Sequence, residues 1–255
     1  MNKNFYQSNK YNNHNINYGF FTRQNGKSVD SYQSLNCSYS SGDRAELVKK
    51  NINIAKDKLN LNNKKLKLIN QMHSNKVLFL NQNNFTDTME VDGLITLDKN
   101  ICLGILTADC CPIFLFDDKA TFICNLHAGW KGCHLNIIKN AIDNINNNLS
   151  GITKINAIIG PCLEQKNFEV RNDFKDNFTK INKKYNEFFI KKNNTKYLFD
   201  MRGLINFQLF EVGVFNIENI DIDTYSNSKL FFSHRRSTHE KKLPTGRMIN
   251  IIGFN

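Results

Sequence analysis

A cysteine and two histidines, Cys110, His127 and His73, are the residues of this chain best placed to do chemistry. Asp117-Asp118-Lys119-Ala120 reads as a turn between apolar runs at 113–116 and 121–126. With Asp118 and Lys119 as its central pair, Cys110 lies directly opposite His127 on one side of a two-stranded ribbon. Opposed residues hold their Cβ atoms about 4.5–5.5 Å apart. Zinc takes a thiolate at about 2.3 Å and an imidazole nitrogen at about 2.0 Å, so both tips reach one ion. His73, in Gln71-Met72-His73-Ser74, supplies a third donor just before a strand-like run at 76–80. Three protein ligands with an open position form a catalytic zinc pattern, whereas a closed structural site would recruit a fourth, such as Cys111 or Cys133. Two other readings use the same residues. In one, Cys110 is a small buried apolar residue and His127 a core histidine satisfied by backbone. In the other, Cys110 is a nucleophile activated by His127, as in a cysteine hydrolase.

The elements that must position these residues alternate along the chain. Asp43-Arg44-Ala45-Glu46 resembles a capping box, and Leu47, Val48, Ile52, Ala55 and Leu59 follow at helical spacing. A second helix is expected after Gly132, with Ile137, Ile138, Ala141, Ile142 and Ile145 on one face, ending at Asn146-Asn147-Asn148. Weaker helical patterns cover 174–181 and 204–210. Strand-like runs fall at 76–80, 94–97, 101–108, 113–116, 121–126, 155–159, 217–224 and 248–252. Strands and helices interleave with no Pro/Gly/Ser linker and no repeat, which predicts one α/β domain over 1–255.

Composition narrows the function classes. The chain has 255 residues, 40% hydrophobic and 22% charged, enough to bury a core without staples. Its longest apolar run, 101–116, is broken by Asp109 and Pro112, which excludes a membrane span. The first fifteen residues are polar and lack the apolar centre of a secretory signal. Seven cysteines, six of them between Cys102 and Cys162, fit reduced thiols in a cytoplasm better than a disulfide framework. The net charge is +11, but 27 lysines dispersed among asparagines and seven arginines make solvated surface, so no nucleic-acid partner and no membrane partner is expected. The positive field favours anionic substrates.

A series of ordered motifs then carries a resemblance that spans nearly the whole chain. Gly19-Phe20-Phe21-Thr22-Arg23 with Ser34-Leu35-Asn36, Gln71-Met72-His73, Val91-Asp92-Gly93, and Thr107-Ala108-Asp109-Cys110-Cys111-Pro112 come first. His127-Ala128-Gly129-Trp130-Lys131-Gly132, Ile159-Gly160-Pro161-Cys162, and a closing Phe231-Phe232-Ser233-His234-Arg235-Arg236 with Thr245-Gly246-Arg247 complete them. In order and spacing they resemble the YfiH-like family, long labelled laccase-domain or polyphenol oxidase proteins and now described as purine nucleoside phosphorylases.

The resemblance implies a layered α/β fold with mixed β-sheets flanked by helices, and zinc on His73, Cys110 and His127. It implies phosphorolysis of adenosine, inosine and methylthioadenosine to the free base and a ribose 1-phosphate, with adenosine deamination alongside. Phosphorolysis needs a phosphate clamp, and Arg235-Arg236 and Arg23 are its candidates because a guanidinium fork matches phosphate oxygens. Asp92 and Asp109 are candidate proton carriers, Asn36 a candidate substrate contact, and Phe232 a candidate purine platform. The inherited oxidase label fails on ligands: a four-copper site uses many histidines in His-x-His pairs, and this chain has six histidines and no such pair. Peptidoglycan editing, attached to some bacterial relatives, and a non-enzymatic zinc-bound interaction module are the alternatives. Departures from the pattern are Gln24-Asn25-Gly26 in place of a second early glycine, His234 in place of a tyrosine, Asp223 in place of a cysteine, and a longer loop at 238–244.

Overall fold

The computed structural model describes residues 4–11, 15–152 and 154–255. Its first strands are β1 (Phe5–Tyr6), β2 (Ile16–Phe21), β3 (Lys65–Leu68), β4 (Val77–Leu80), β5 (Gly93–Thr96), β6 (Ile101–Thr107) and β7 (Cys111–Asp117). The chain continues through β8 (Ile123–Ala128), β9 (Ile155–Ile159), β10 (Glu169–Arg171), β11 (Phe189–Lys191), β12 (Lys196–Phe199), β13 (Asn216–Asn219) and β14 (Met248–Phe254). Six helices accompany them among the described residues: α1 (Ala45–Lys58), α2 (Trp130–His134), α3 (Ile137–Asn148), α4 (Asn172–Ile181), α5 (Met201–Glu211) and α6 (His234–His239).

The strands form three sheets, in the orders β1-β2-β14-β6-β3, β13-β9-β7-β8-β5-β4 and β10-β12-β11. Both larger sheets mix parallel and antiparallel pairs, so the architecture is α/β with mixed sheets. Side-chain alternation explains the layering. In β7, Phe114 and Phe116 pack with Phe20, Ile252 and Phe254 of the five-stranded sheet, while Ile113 and Leu115 face the helices α3 and α5. The central strand is apolar on both faces because both are covered. Asn125 of β8 stitches the two sheets: its Nδ2 donates to the Leu103 and Asn250 carbonyls, each at 3.0 Å. On the outer side of the five-stranded sheet, Val48, Ile52 and Ala55 of α1 close a further apolar layer.

Three local expectations change. The capping box does not form: Arg44 is the N-cap residue without a side-chain bond, because the Asp43 carboxylate accepts from Ser28 Oγ and Asn36 Nδ2 instead. The helix after Gly132 is two helices, broken where Asn136 adopts a φ of 55° and caps α3 through its side chain to Lys139 N. The ribbon register also differs. β7 and β8 pair Pro112 with His127 and Cys111 with Ala128, which leaves Cys110 beyond the ladder. The connection is longer than a two-residue turn because the Asp117 carboxylate accepts from Thr121 N and Thr121 Oγ1, and Ala120 takes a φ of 51°.

Candidate metal centre

His73, Cys110 and His127 nevertheless meet, with their donor atoms all within 4.8 Å of one another. His127 is the last residue but one of β8, and its backbone N–H donates to Asp92 O at 2.7 Å. Cys110 swings toward it because Asp109 adopts a φ of 92°, turning the chain just before β7. His73 also has a positive φ, 57°, in a loop wrapped around one carboxylate. The N–H groups of Met72, His73 and Ser74 donate to Asp92 at 3.2, 3.0 and 2.5 Å, and Ser74 Oγ at 2.7 Å. Successive amides converging on an anion make a nest. The other role of this carboxylate is toward His127, whose Nδ1 lies 2.8 Å from Asp92 Oδ1. That bond fixes the ring and leaves Nε2 facing the group, the support metal-ligating histidines use.

The rings of His73 and His127 stand edge to face at 4.8 Å, and His73 Nε2 lies 3.8 Å from Cys110 Sγ. Burial pushes the Cys110 thiol up, but the neighbouring imidazoles of His127 and His73 outweigh it and bring it down to about 6. Burial likewise lowers His127, and the Cys110 and Asp92 charges reverse this, raising it to about 9. A thiolate beside two imidazoles is the donor chemistry of a borderline-soft cation. Gly129 keeps the space clear: a Cβ there would stand 3.0 Å from Cys110 Sγ and 3.0 Å from His73 Cδ2. His127 is buried, Cys110 half-buried and His73 exposed, so the group opens on one side.

It opens into a cavity of about 580 Å³. Arg235 and Arg247 supply cations to its wall, Trp130 and Phe168 supply aromatic surface, and His234 stands among them. Arg235 lies over the Phe168 ring at 5.2 Å and donates from Nη1 to Glu169 O at 3.0 Å. Arg247 donates from Nη1 to Thr245 O at 2.9 Å. Asn36 positions it from behind, accepting from Arg247 N at 2.9 Å.

Several expected site residues stand elsewhere. Arg236 points away, donating to the Thr224, Tyr225 and Phe231 carbonyls, so it ties loops together. Arg23 lines a separate cleft with Gln33 and Lys229 and stacks on Phe232 at 4.2 Å. Phe232 is fully buried and absent from the cavity wall. Asp109 borders the cavity, but its carboxylate accepts from Thr224 Oγ1, Ser233 Oγ and Arg235 N, fastening the Cys110 turn to α6. Asp92 is fully buried beneath the three donor residues. The motifs contain Arg247 and Trp130 without marking them as site residues, and Phe168 falls in none of them. Arg247 had a signal, a lone arginine after Thr245-Gly246 at the start of the last apolar strand.

Relatives share this frame. A purine nucleoside phosphorylase of Rickettsia conorii is 35% identical over 175 residues, 68% of this chain and 71% of that protein. One from Escherichia coli K12 is 29% identical over 231 residues, 91% of this chain and 90% of its own. The crystal structure of Neisseria meningitidis protein NMB0706 superposes with a TM-score of 0.87 at 26% identity, covering 99% of this chain and 100% of that one. The Bacillus licheniformis hypothetical protein YfiH gives 0.87 at 26% identity over 94% and 93%. Residues 17–255 match the family described as multi-copper polyphenol oxidoreductase laccase, and the chain belongs to that YfiH-like family.

Proposed function

We propose that the chain is a zinc-dependent purine nucleoside phosphorylase acting on adenosine, inosine and methylthioadenosine, with a secondary deamination of adenosine. The observation that carries this reading is one cavity holding a three-donor group and two arginines, in a chain whose relatives are named purine nucleoside phosphorylases. Zinc suits the N2S donor set. Among the described residues His73, Cys110 and His127 are the only cluster of three or more such donors, which argues against the several coppers in the family's name.

His73, Cys110 and His127 would hold the zinc, which supplies a Lewis acid at the open position when bound. Arg235 and Arg247 hold phosphate, each contributing a charged fork that needs no reorganisation. Trp130 and Phe168 offer the purine an apolar wall. In the reaction a phosphate oxygen bonds to the anomeric carbon, the bond from that carbon to the base nitrogen breaks, and the base takes a proton. Asp92 contributes by orienting His127, and Asp109 by holding Arg235 N beside the ligand turn. No helix among the described residues is long and apolar enough to cross a membrane, and seven free cysteines suit a reducing cytoplasm.

Zinc-loaded protein incubated with each nucleoside, with and without phosphate, should release base and sugar phosphate only when phosphate is present. Deamination should proceed without it. Release of base that is indifferent to phosphate would refute the assignment. Cys110, His127 and Asp92 also make a nucleophile, base and orienter in line, which favours a cysteine hydrolase as the second reading. Iodoacetamide decides between them: a zinc thiolate alkylates slowly until chelation, whereas a hydrolytic cysteine labels rapidly in the metal-loaded chain.

A further inference from the structure

A second cleft, of about 740 Å³, shares no lining residue with the cavity of the donor group. Three segments build it: residues 23–24 just after β2, residues 33–34, and the 226–230 loop ahead of α6. Backbone bonds lock them together. Arg23 N donates to Leu230 O at 2.8 Å, and Ser34 N and Leu35 N donate to Arg23 O at 2.9 and 2.8 Å. The Gln24 amide adds a bond to Lys229 O. The cleft is built into the fold.

Its charges are one-sided. Arg23 is half-buried, lies 4.2 Å over the ring of the fully buried Phe232, and donates from Nε to Gln33 O at 2.6 Å and from Nη1 to Ser228 O at 3.4 Å. Arg236, whose charge acts on Arg23, donates to the Thr224, Tyr225 and Phe231 carbonyls. Both guanidiniums therefore bond to neutral oxygens, and among the described residues no carboxylate pairs with either. Burial and then the Arg236 charge bring Arg23 down to about 10. Lys229 adds a third cation, and no carboxylate lines the cleft. Asp223, at the base of the same loop, is buried and spends its carboxylate on the Glu164, Tyr225 and Ser226 N–H groups and on Asn167 Nδ2. Cations gathered and partly desolvated without a counter-charge leave an unmet demand for an anion. Nothing in the proposed phosphorolysis uses this cleft.

We propose that this cleft is a second ligand site, for a sugar phosphate, with the phosphate dianion on Arg23 and Lys229 and the sugar hydroxyls on the side chains around them. A guanidinium fork and an ammonium suit phosphate oxygens. The rest of the wall is hydroxyl and amide, from Ser34, Ser228, Gln33 and Asn227, which accept from and donate to the hydroxyls of a sugar. Leu230 is the single apolar residue among those lining the cleft, and no aromatic ring is among them, so a nucleotide base has nothing to stack on. The cleft exceeds what a bare phosphate ion fills, and the hydroxyl-bearing remainder of the ligand occupies the difference.

The test reads the arginine Nε–Hε resonances of the isotope-labelled, zinc-loaded full chain, whose seven arginines are few enough to assign, Arg23 by its loss in Arg23→Lys. Ribose 5-phosphate should shift the Arg23 resonance saturably, ribose should not, and inorganic phosphate should bind about tenfold more weakly, for want of the hydroxyl contacts. Ser228 is exposed and its carbonyl already meets Arg23, so Ser228→Asp sets a carboxylate beside the guanidinium. That variant should weaken ribose 5-phosphate about ten- to hundredfold while melting as the parent does. Lys229→Ala, also at an exposed position, should weaken it about tenfold. Arg247→Ala, which removes a cation from the other cavity, should leave the Arg23 shift intact. An Arg23 resonance that ribose 5-phosphate does not move, or a shift that disappears in Arg247→Ala, would overturn the proposal. So would parent affinity in a folded Ser228→Asp, or inorganic phosphate binding as tightly as the sugar phosphate.

Discussion

Replacing Asp92 by asparagine keeps the shape of the side chain and removes its charge and half its accepting capacity. The carboxylate receives five hydrogen bonds, from three successive amides, one hydroxyl and the His127 ring. If the amide oxygen keeps His73 N and His127 Nδ1, the new NH2 meets Met72 N and Ser74 N, two donors it cannot accept from. Losing two charge-assisted bonds at about 1.5–3 kcal/mol each puts the cost near 3–6 kcal/mol. The cost falls on the loop that carries His73 and on the ring that carries His127. Loss of an outer-sphere partner of a ligating histidine typically weakens metal affinity about 10–100-fold. The assay is zinc competition against a chromogenic chelator, run beside thermal melting with and without zinc. Asp92→Asn should melt lower without metal, gain less from added zinc, and release it to weaker chelators. Unchanged zinc affinity in a variant with lowered melting temperature would show that Asp92 folds the loop without tuning the metal. Unchanged values in both would refute the argument altogether.

The remaining predictions divide the arginines and the buried carboxylates. Arg235→Ala and Arg247→Ala should each cut phosphorolysis about ten- to hundredfold, the value of a charged hydrogen bond, with zinc content unchanged in metal analysis. Arg236→Ala should instead lower stability by about 2 kcal/mol in urea melts, because three carbonyls lose one shared donor. Asp223 caps the 163–167 and 225–226 turns. Burial pushes it up, yet the Ser226 hydroxyl and the N–H groups of Glu164, Ser226 and Tyr225 outweigh this and lower it. A lowered carboxylate contributes stability that is complete above its unfolded value, about 3.9, and fades as pH falls through the folded one. Asp223→Asn should therefore melt below the parent at pH 7, and the gap should close under pH 4.

The site was legible where chemistry depends on residue type and hidden where it depends on backbone conformation. The apolar faces of α1 and α3 sit buried where helical spacing puts them, because burial follows side-chain periodicity. The β7–β8 register does not, since Asp117 bonds to Thr121 and extends the turn, a choice a turn-type reading of Asp118-Lys119 cannot see. The misplaced register still named three residues whose donor atoms lie within 4.8 Å of one another, for a reason the backbone supplies. Cys110 leaves the ladder and returns to His127 through the positive φ of Asp109, and His73 arrives through a positive φ of its own. Neither residue is glycine, and such conformations need external support. The support is a carboxylate in each case: Asp92 under His73, Asp109 bonded to Thr224, Ser233 and Arg235. The two aspartates expected to move protons thus spend their accepting capacity holding the turns that aim the donors. Composition could mark both as chemically suited groups. Only the positions of their partners, drawn from the 72–74 loop and from a segment more than a hundred residues away, assign them to construction.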